Sequence, residues 1–193
     1  HALPLPLAET MMAGFLLARA GISAPAGPMT VAPVHAADAV QVGADGMLQG
    51  SARLVPFARW ARHLVVPARR GGEDCVALVA LADCAVKPGQ SLAGEPRDGV
   101  VLHGVTPLEL AAAPGLDADA LGVLGAAVRA VQMAGGLERA LNMALEHAVT
   151  RVQFGRPIGG FQVIQHALAQ FAGESAAAGA AADAAAEAIT AGA

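Results

Sequence analysis

The sequence predicts an α+β multidomain chain, in which a small antiparallel β domain is followed by the long helices of an α-helical bundle. Three observations carry this. Short apolar runs with period-two alternation fill the middle of the chain, separated by turn clusters. After Pro114-Gly115 the apolar spacing changes to three and four and stays so to about Thr150. Gly155, Pro157 and Gly159-Gly160 then break that helix, and a second helical pattern begins near Phe161.

In chain order, residues 8–20 read as a short helix with Gly21 as its terminator. Residues 23–33 are too rich in Pro and Gly for a helix. The runs 39–42 and 47–50 flank Ala44-Asp45-Gly46, and Asp-Gly between alternating runs is a strong hairpin signal. Further strand-like runs follow at 63–66, 75–81 and 99–105, with turns expected at 69–74 and 87–98. Asp117 is placed to cap the long helix, on which Leu121, Leu124, Val128, Val131, Leu141, Leu145 and Ala148 share a stripe. Phe161, Ile164, Leu168 and Phe171 form the corresponding face of the second helix. The expected boundaries are thus a helical segment over 1–22, a β domain over 23–113 and a helical bundle from 114 to 193. The chain opens at His1 inside an apolar, helix-like segment and closes at Ala193 within a helical pattern, so a portion of something longer is expected.

Composition removes several function classes. The chain has 193 residues with a formal net charge of -4, and its 12 Lys and Arg form no basic run. Nucleic-acid binding needs a clustered cationic footprint, so it is not expected. Hydrophobic residues make up 55% of the chain, yet residues 121–147 are interrupted by Arg129, Gln132, Gly135-Gly136, Glu138 and Arg139. The Ala-rich stretch from Ala176 is weakly hydrophobic and carries Asp183 and Glu187, so no membrane span is expected. Cys75 and Cys84 are too few for a disulfide framework, and no charged-then-apolar leader opens the chain. A reducing, cytoplasmic setting is the expectation, with both thiols packing as small hydrophobes.

Motifs for common chemistries are missing. There is no Gly-rich phosphate loop, no Gly-x-Gly-x-x-Gly and no Gly-x-Ser-x-Gly elbow, and the histidines never fall at metal-ligand spacing, so no metal is expected. One segment stands apart: Arg151-Val152-Gln153-Phe154-Gly155-Arg156-Pro157-Ile158. It puts two fixed cations, an amide and an aromatic ring at a tight helix–loop–helix junction. Arg at a helix end can fork onto phosphate oxygens, and Phe offers a flat surface to a ring. Alternatively, Arg151 caps the preceding helix through its dipole and Phe154 plugs the hairpin.

This segment, continued by Phe161-Gln162 and Gln165-His166-Ala167-Leu168-Ala169, resembles the stretch that joins two long helices in acyl-CoA dehydrogenases, Arg-x-x-Phe-Gly-x-Pro-Ile-x-x-Phe-Gln. The similarity extends back to Gly135-Gly136. Asp45-Gly46-Met47-Leu48-Gln49-Gly50 resembles the family's β-domain hairpin, and His63-Leu64-Val65-Val66 the strand after it. Leu7-Ala8-Glu9-Thr10 resembles the last helix of the family's N-terminal helical domain.

The resemblance implies three domains: an N-terminal helical domain ending in 1–22, a central β domain and the start of a C-terminal bundle. It implies FAD-dependent oxidation of an acyl-CoA thioester to the 2-enoyl-CoA, with α-proton abstraction and hydride transfer to flavin, in fatty acid or lipid catabolism. It also implies a dimer or tetramer, homomeric or heteromeric, and an electron-accepting flavoprotein. Arg151 would reach FAD phosphates, Gln153 and Phe154 would line the adenosine end, and Gln162 would add a hydrogen bond, all toward a flavin held mainly by a neighbouring subunit.

Departures from the family pattern lie around the flavin ring. Val31-Ala32-Pro33-Val34 stands where the family carries Thr-Glu-Pro with Gly-Ser-Asp, and Leu54-Val55-Pro56 where it carries Trp-Ile-Thr. In the minority of members whose base lies on the first long helix, the matching position here is Gly125, so no catalytic base can be nominated. A second reading is therefore a non-catalytic partner subunit that completes the FAD site of a heteromeric acyl-CoA dehydrogenase. A third is an interaction domain without cofactor. Gly94-Glu95-Pro96-Arg97-Asp98-Gly99 resembles a stretch in divergent bacterial members, and reads on its own chemistry as a charged turn before a strand.

Overall fold

The computed structural model describes residues 5–35 and 38–191. His1 and Ala193, where helical patterns were expected to be cut, lie outside the described residues. The chain forms two compact units, His1–Leu124 and Gly125–Ala193.

The first unit opens with α1 (Leu7–Arg19), which buries Glu9, Met12, Ala13, Leu16 and Leu17. Gly21, at φ 72°, reverses the chain, Gly21 N–H donates to Ala18 O at 3.2 Å and Ile22 N–H to Leu17 O at 2.9 Å. This double closure satisfies carbonyls that the helix end leaves open.

Eight strands then form one sheet: β1 (Met29–Val31), β2 (Val40–Val42), β3 (Leu48–Pro56), β4 (His63–Arg70), β5 (Glu73–Ala80), β6 (Ala85–Lys87), β7 (Arg97–Val105) and β8 (Glu109–Ala112). The spatial order is β6-β7-β3-β2-β4-β5-β8, and β1 also pairs with β4. The sheet departs from the purely antiparallel expectation at two pairings. β1 and β2 follow one another along one edge of β4 and run parallel to it, Met29 facing His63 and Gln41 facing Arg69.

The Asp45-Gly46 turn forms as expected between β2 and β3, with Asp45 Oδ1 accepting from Met47 N–H at 3.0 Å. The turn expected over 69–74 is shorter. Strands continue to Arg70 and resume at Glu73, because Gly71 and Gly72 at φ 59° and 95° make the reversal alone. β1 and β8 carry no alternating run long enough to announce them. Both exist because neighbouring strands supply their hydrogen bonds.

Residues 64–68 of β4 and 75–79 of β5 are buried without alternation, which is the pattern of strands covered on both faces. One face carries the cluster of Leu48, Val55, Leu64, Val66, Ala77, Val79, Val100 and Leu102. α1 packs against β1, β4 and β5. Thr10 ties it to β1, its Oγ1 accepting from Met29 N–H at 3.0 Å and donating to Met29 O at 3.1 Å.

Two carboxylates brace the loops of this unit. Asp98 accepts from Arg59 N–H at 2.9 Å, Arg59 Nε at 3.0 Å and Gly89 N–H at 3.0 Å. It is fully buried, so the charged turn expected here is an anchor between the β3–β4 loop and the loop before β7. Burial alone would push the Asp98 carboxyl up, but the Arg59 guanidinium and the two backbone N–H groups hold it below its ordinary value. Gly89 has to be Gly, since a Cβ there would sit 2.2 Å from Arg97 O. Asp38 plays a similar part for Arg53, accepting from its N–H at 2.6 Å and its Nε at 2.8 Å. Its carboxyl too is held low by Arg53 against the opposing pull of burial.

The cysteines behave as small hydrophobes. Cys75 is buried and Cys84 half-buried, both free, and burial pushes the Cys84 thiol up to about 11. Among the described residues no group of His, Cys, Asp and Glu could hold a metal ion.

The long helix is α2 (Ala118–Thr150), capped by Asp117, whose Oδ1 accepts from Ala120 N–H at 2.9 Å. Its stripe is only partly covered: Leu121, Leu124 and Ala148 are buried, while Val131 and Leu145 are exposed at 49% and 43%. Met133, Met143 and Val149 are exposed as well. Contrary to the expectation that no stretch would qualify, α2 is long and apolar enough to cross a membrane by length and composition. In α3 (Gln162–Ala191), Ile164, Leu168, Phe171, Ser175, Ala178 and Ala182 form one inward stripe at three- and four-residue spacing.

Candidate functional site

Between α2 and α3 the chain makes a tight β-hairpin from β9 (Val152–Gln153) and β10 (Arg156–Pro157), followed by a single 3-10 turn, Ile158–Gly160. α2 closes with Arg151 N–H donating to His147 O at 2.9 Å, and Ile158 N–H returns to Arg151 O at 2.8 Å. Gln153 pairs with Arg156, leaving Phe154 and Gly155 as the two turn residues. Both have positive φ, 52° and 77°. A reversal of this kind suits the twist of a two-residue hairpin and explains Gly155. At Phe154 it is a strained choice, costing roughly 1–2 kcal/mol relative to an ordinary backbone.

That strain holds an aromatic ring in solvent. Phe154 is 93% exposed, so it does not plug the hairpin. Its ring meets Phe161 edge-to-face with centroids 6.1 Å apart, and the Arg156 guanidinium lies 4.2 Å from the Phe161 centroid. Gln165 Nε2 donates to Gly159 O at 3.0 Å and fixes the turn into α3. A Cβ at Gly159 would come within 3.1 Å of Ala148 O, so Gly there lets the turn sit against the end of α2.

The four residues expected to meet a cofactor are all exposed within the chain, on this one junction. Arg151 precedes β9, Gln153 and Phe154 lie on the hairpin, and Gln162 opens α3. Among the described residues the Arg151 guanidinium makes no ion pair or side-chain hydrogen bond, so it does not serve as a side-chain cap on α2. Among those residues Gln153 Nε2 bonds only to Val152 O, at 2.9 Å. The arrangement offers a free cation, two amides and an open aromatic face, a donor set suited to the phosphate and base end of a nucleotide. Arg156, the second of the two cations the sequence places at the junction, belongs to this cluster although it was not among the expected cofactor contacts. The signal was present as a second Arg across the turn from Phe154, but which ring it covers depends on how the hairpin meets α3.

Comparison with known proteins places this junction. Residues 123–193 match the family model for the acyl-CoA dehydrogenase C-terminal domain. The acyl-CoA dehydrogenase FadE27 of Mycobacterium tuberculosis is 36% identical over 152 residues, covering 74% of this chain and 38% of that protein. The chain belongs to the acyl-CoA dehydrogenase family. Acyl-CoA dehydrogenase IpdE2 of the same organism is 46% identical over 56 residues, or 29% of this chain and 16% of that protein. The chain thus spans well under half the length of these curated relatives.

Among solved acyl-CoA dehydrogenase-like folds, the ChsE4-ChsE5 complex from Mycobacterium tuberculosis superposes with a TM-score of 0.76 at 28% identity, covering 94% of this chain and 57% of that one. A variant of the Tcur3481-Tcur3483 steroid ACAD gives 0.78 at 25% identity, covering 97% and 57%. Both support the predicted class, an antiparallel-rich sheet domain followed by long helices.

The β unit of this member of the acyl-CoA dehydrogenase family offers little to a flavin ring. Val31 and Ala32 are buried at 1% and 0%. The nearby hydroxyl, Thr30 Oγ1, already donates to Pro56 O at 2.5 Å. Leu54, at φ 56° in a bulge of β3, presents an exposed aliphatic side chain. Gly125 has open space around the position of a Cβ and supplies no carboxylate.

Proposed function

We propose that the chain is a subunit of an FAD-dependent enzyme that oxidises an acyl-CoA thioester to its 2-enoyl-CoA, and that it serves flavin through the junction from Arg151 to Gln162. The observation that carries this is the strained, 93% exposed Phe154 on the same junction as Arg151, whose guanidinium has no partner among the described residues. In this reading Arg151 binds FAD phosphates, Gln153 and Phe154 line the adenosine end, and Gln162 donates or accepts one further hydrogen bond. When bound, FAD supplies the acceptor for the hydride leaving the acyl β-carbon. The residues at the junction fit the nucleotide end of that cofactor, whereas Val31, Ala32 and Leu54 offer no hydroxyl or aromatic ring to its flavin end.

The contribution of this chain is therefore binding and orientation across a subunit interface, within a dimer or tetramer. Segments 1–22, 23–113 and 114–193 correspond in this reading to the end of the N-terminal helical domain, the β domain and the start of the bundle. The exposed apolar residues of α2 are read as a protein-packing face. Arg129, Glu138 and Arg139 sit near the middle of the helix, where each would cost about 2.5–3.5 kcal/mol at a bilayer centre. Gly122, Gly135 and Gly136 have open space above them and admit a close neighbouring helix.

Two observations favour a partner subunit that completes another chain's site. No carboxylate stands at Gly125, and of the two similar structures described above one is a complex of two named proteins and the other also carries two protein names. The test is to express the full gene alone and with any adjacent dehydrogenase-like gene, then assay straight-chain and steroid-bearing acyl-CoAs with an artificial electron acceptor. The steroid arm follows from the likeness to a steroid ACAD. Activity only on co-expression is the expected outcome. Full activity of the chain alone would overturn the partner role, and no activity in any combination would overturn the reaction.

A further inference from the structure

We propose that Arg156 is a positioning residue: by stacking on Phe161 it fixes the ring against which Phe154 is held, and so sets Phe154 to receive the adenine of a dinucleotide. This rests on the flavin reading above and deepens it by naming a residue that acts through two others.

The geometry carries the argument. A phenyl ring at the tip of a two-residue hairpin has no wall of its own, and Phe154 is 93% exposed. Among the described residues its one ring contact is the edge-to-face meeting with Phe161 at 6.1 Å. Phe161 stands just before α3 and is only half-buried. The Arg156 guanidinium, 4.2 Å from its centroid, covers it with a flat cation. The Arg156 stem passes over Gly160, where even a Cβ would make only ordinary contact, 3.6 Å from Arg156 Cδ.

Among the described residues no carboxylate pairs with Arg156, so its charge is directed at the ring. The three side chains form one run, Arg156 to Phe161 to Phe154, assembled before any ligand arrives. A ring already restrained loses less freedom when a flat base docks on it. The backbone strain at Phe154 is consistent with a side chain held out for binding.

The stack is tested first without ligand. By NMR, the Arg156 δ-protons of the full chain should be shifted upfield by the Phe161 ring, and the shift should vanish in Phe161→Leu. Random-coil positions in the unsubstituted chain would overturn the proposal whatever the protein binds. Titrations of the oligomer with FAD, ADP and FMN follow. Arg156→Ala should weaken FAD and ADP about threefold to fivefold and leave FMN, which has no adenine, unchanged. Arg156→Lys should recover part of the loss, and Arg156→Ala combined with Phe154→Ala should bind no more weakly than Phe154→Ala alone. Equal losses for FAD and FMN, or fully additive losses in the double variant, would overturn the positioning role. An oligomer that binds ADP but not FAD would overturn the flavin reading alone, and one that binds neither would overturn both.

Discussion

Replacing Asp98 by Ala is expected to destabilise the β unit by about 3 kcal/mol, read as a lower urea midpoint with little change in slope. The carboxylate is wholly buried, and its loss strands the backbone N–H groups of Arg59 and Gly89 together with Arg59 Nε. A fully buried donor left without a partner costs roughly 1–3 kcal/mol, and these part-buried donors fall toward the low end of that range. The Arg59 side chain is itself 34% exposed, so water takes over part of its solvation and the guanidinium contributes least to the loss. Asp98→Asn should fall between, because an amide keeps one acceptor but loses the charge.

The same network predicts an acid dependence. The folded carboxyls of Asp98 and Asp38 are more acidic than in the unfolded chain. Their contribution is therefore complete above the unfolded value of about 3.9 and is lost as pH falls through the lower folded values. Stability of Asp98→Ala should respond less steeply to acid below about pH 4 than that of the unsubstituted chain. Equal slopes would show that the anchor does not titrate as described.

The second large effect is expected at Arg151. Arg151→Ala should weaken FAD retention roughly tenfold or more, since a charge-assisted contact of this kind contributes about 1.5–3 kcal/mol. The side chain has no partner among the described residues and is exposed, so its removal should leave the melting temperature in place. Gln162→Ala should do less, a neutral hydrogen bond being worth nearer ~1 kcal/mol. Flavin content measured after gel filtration separates these outcomes. Unchanged flavin in Arg151→Ala would remove Arg151 from the phosphate contact.

Much of this was legible in the sequence because the relevant rules are local. Asp45-Gly46 announces its hairpin, Asp117 its helix cap, and the spacing of Phe161, Ile164, Leu168 and Phe171 the inward face of α3. What was not legible depends on distant partners. β1 and β8 exist through strands far along the chain, and the parallel pairings of β1 and β2 follow from where β4 lies. Asp98 reads as one more charge in a polar turn until Arg59 and Gly89, 39 and 9 residues away, close on it. At the junction the sequence put Arg151, Gln153, Phe154 and Gln162 in one place, and the structure adds which way the cluster is organised. The left-handed backbone that exposes Phe154, and the place of Arg156 on Phe161, are properties of the folded hairpin. The apolar periodicity of α2 likewise marked a face without saying what covers it, so Val131 and Leu145 looked like core and are exposed.

In the proposed function this chain meets flavin at a subunit interface through the Arg151–Gln162 junction. Gel filtration of the co-expressed proteins, with light scattering for mass and absorbance for flavin, tests it most directly. Flavin is expected to elute only with a dimer or tetramer, and to be greatly reduced there in Arg151→Ala. Stoichiometric FAD travelling with a monodisperse monomer of this chain would contradict it.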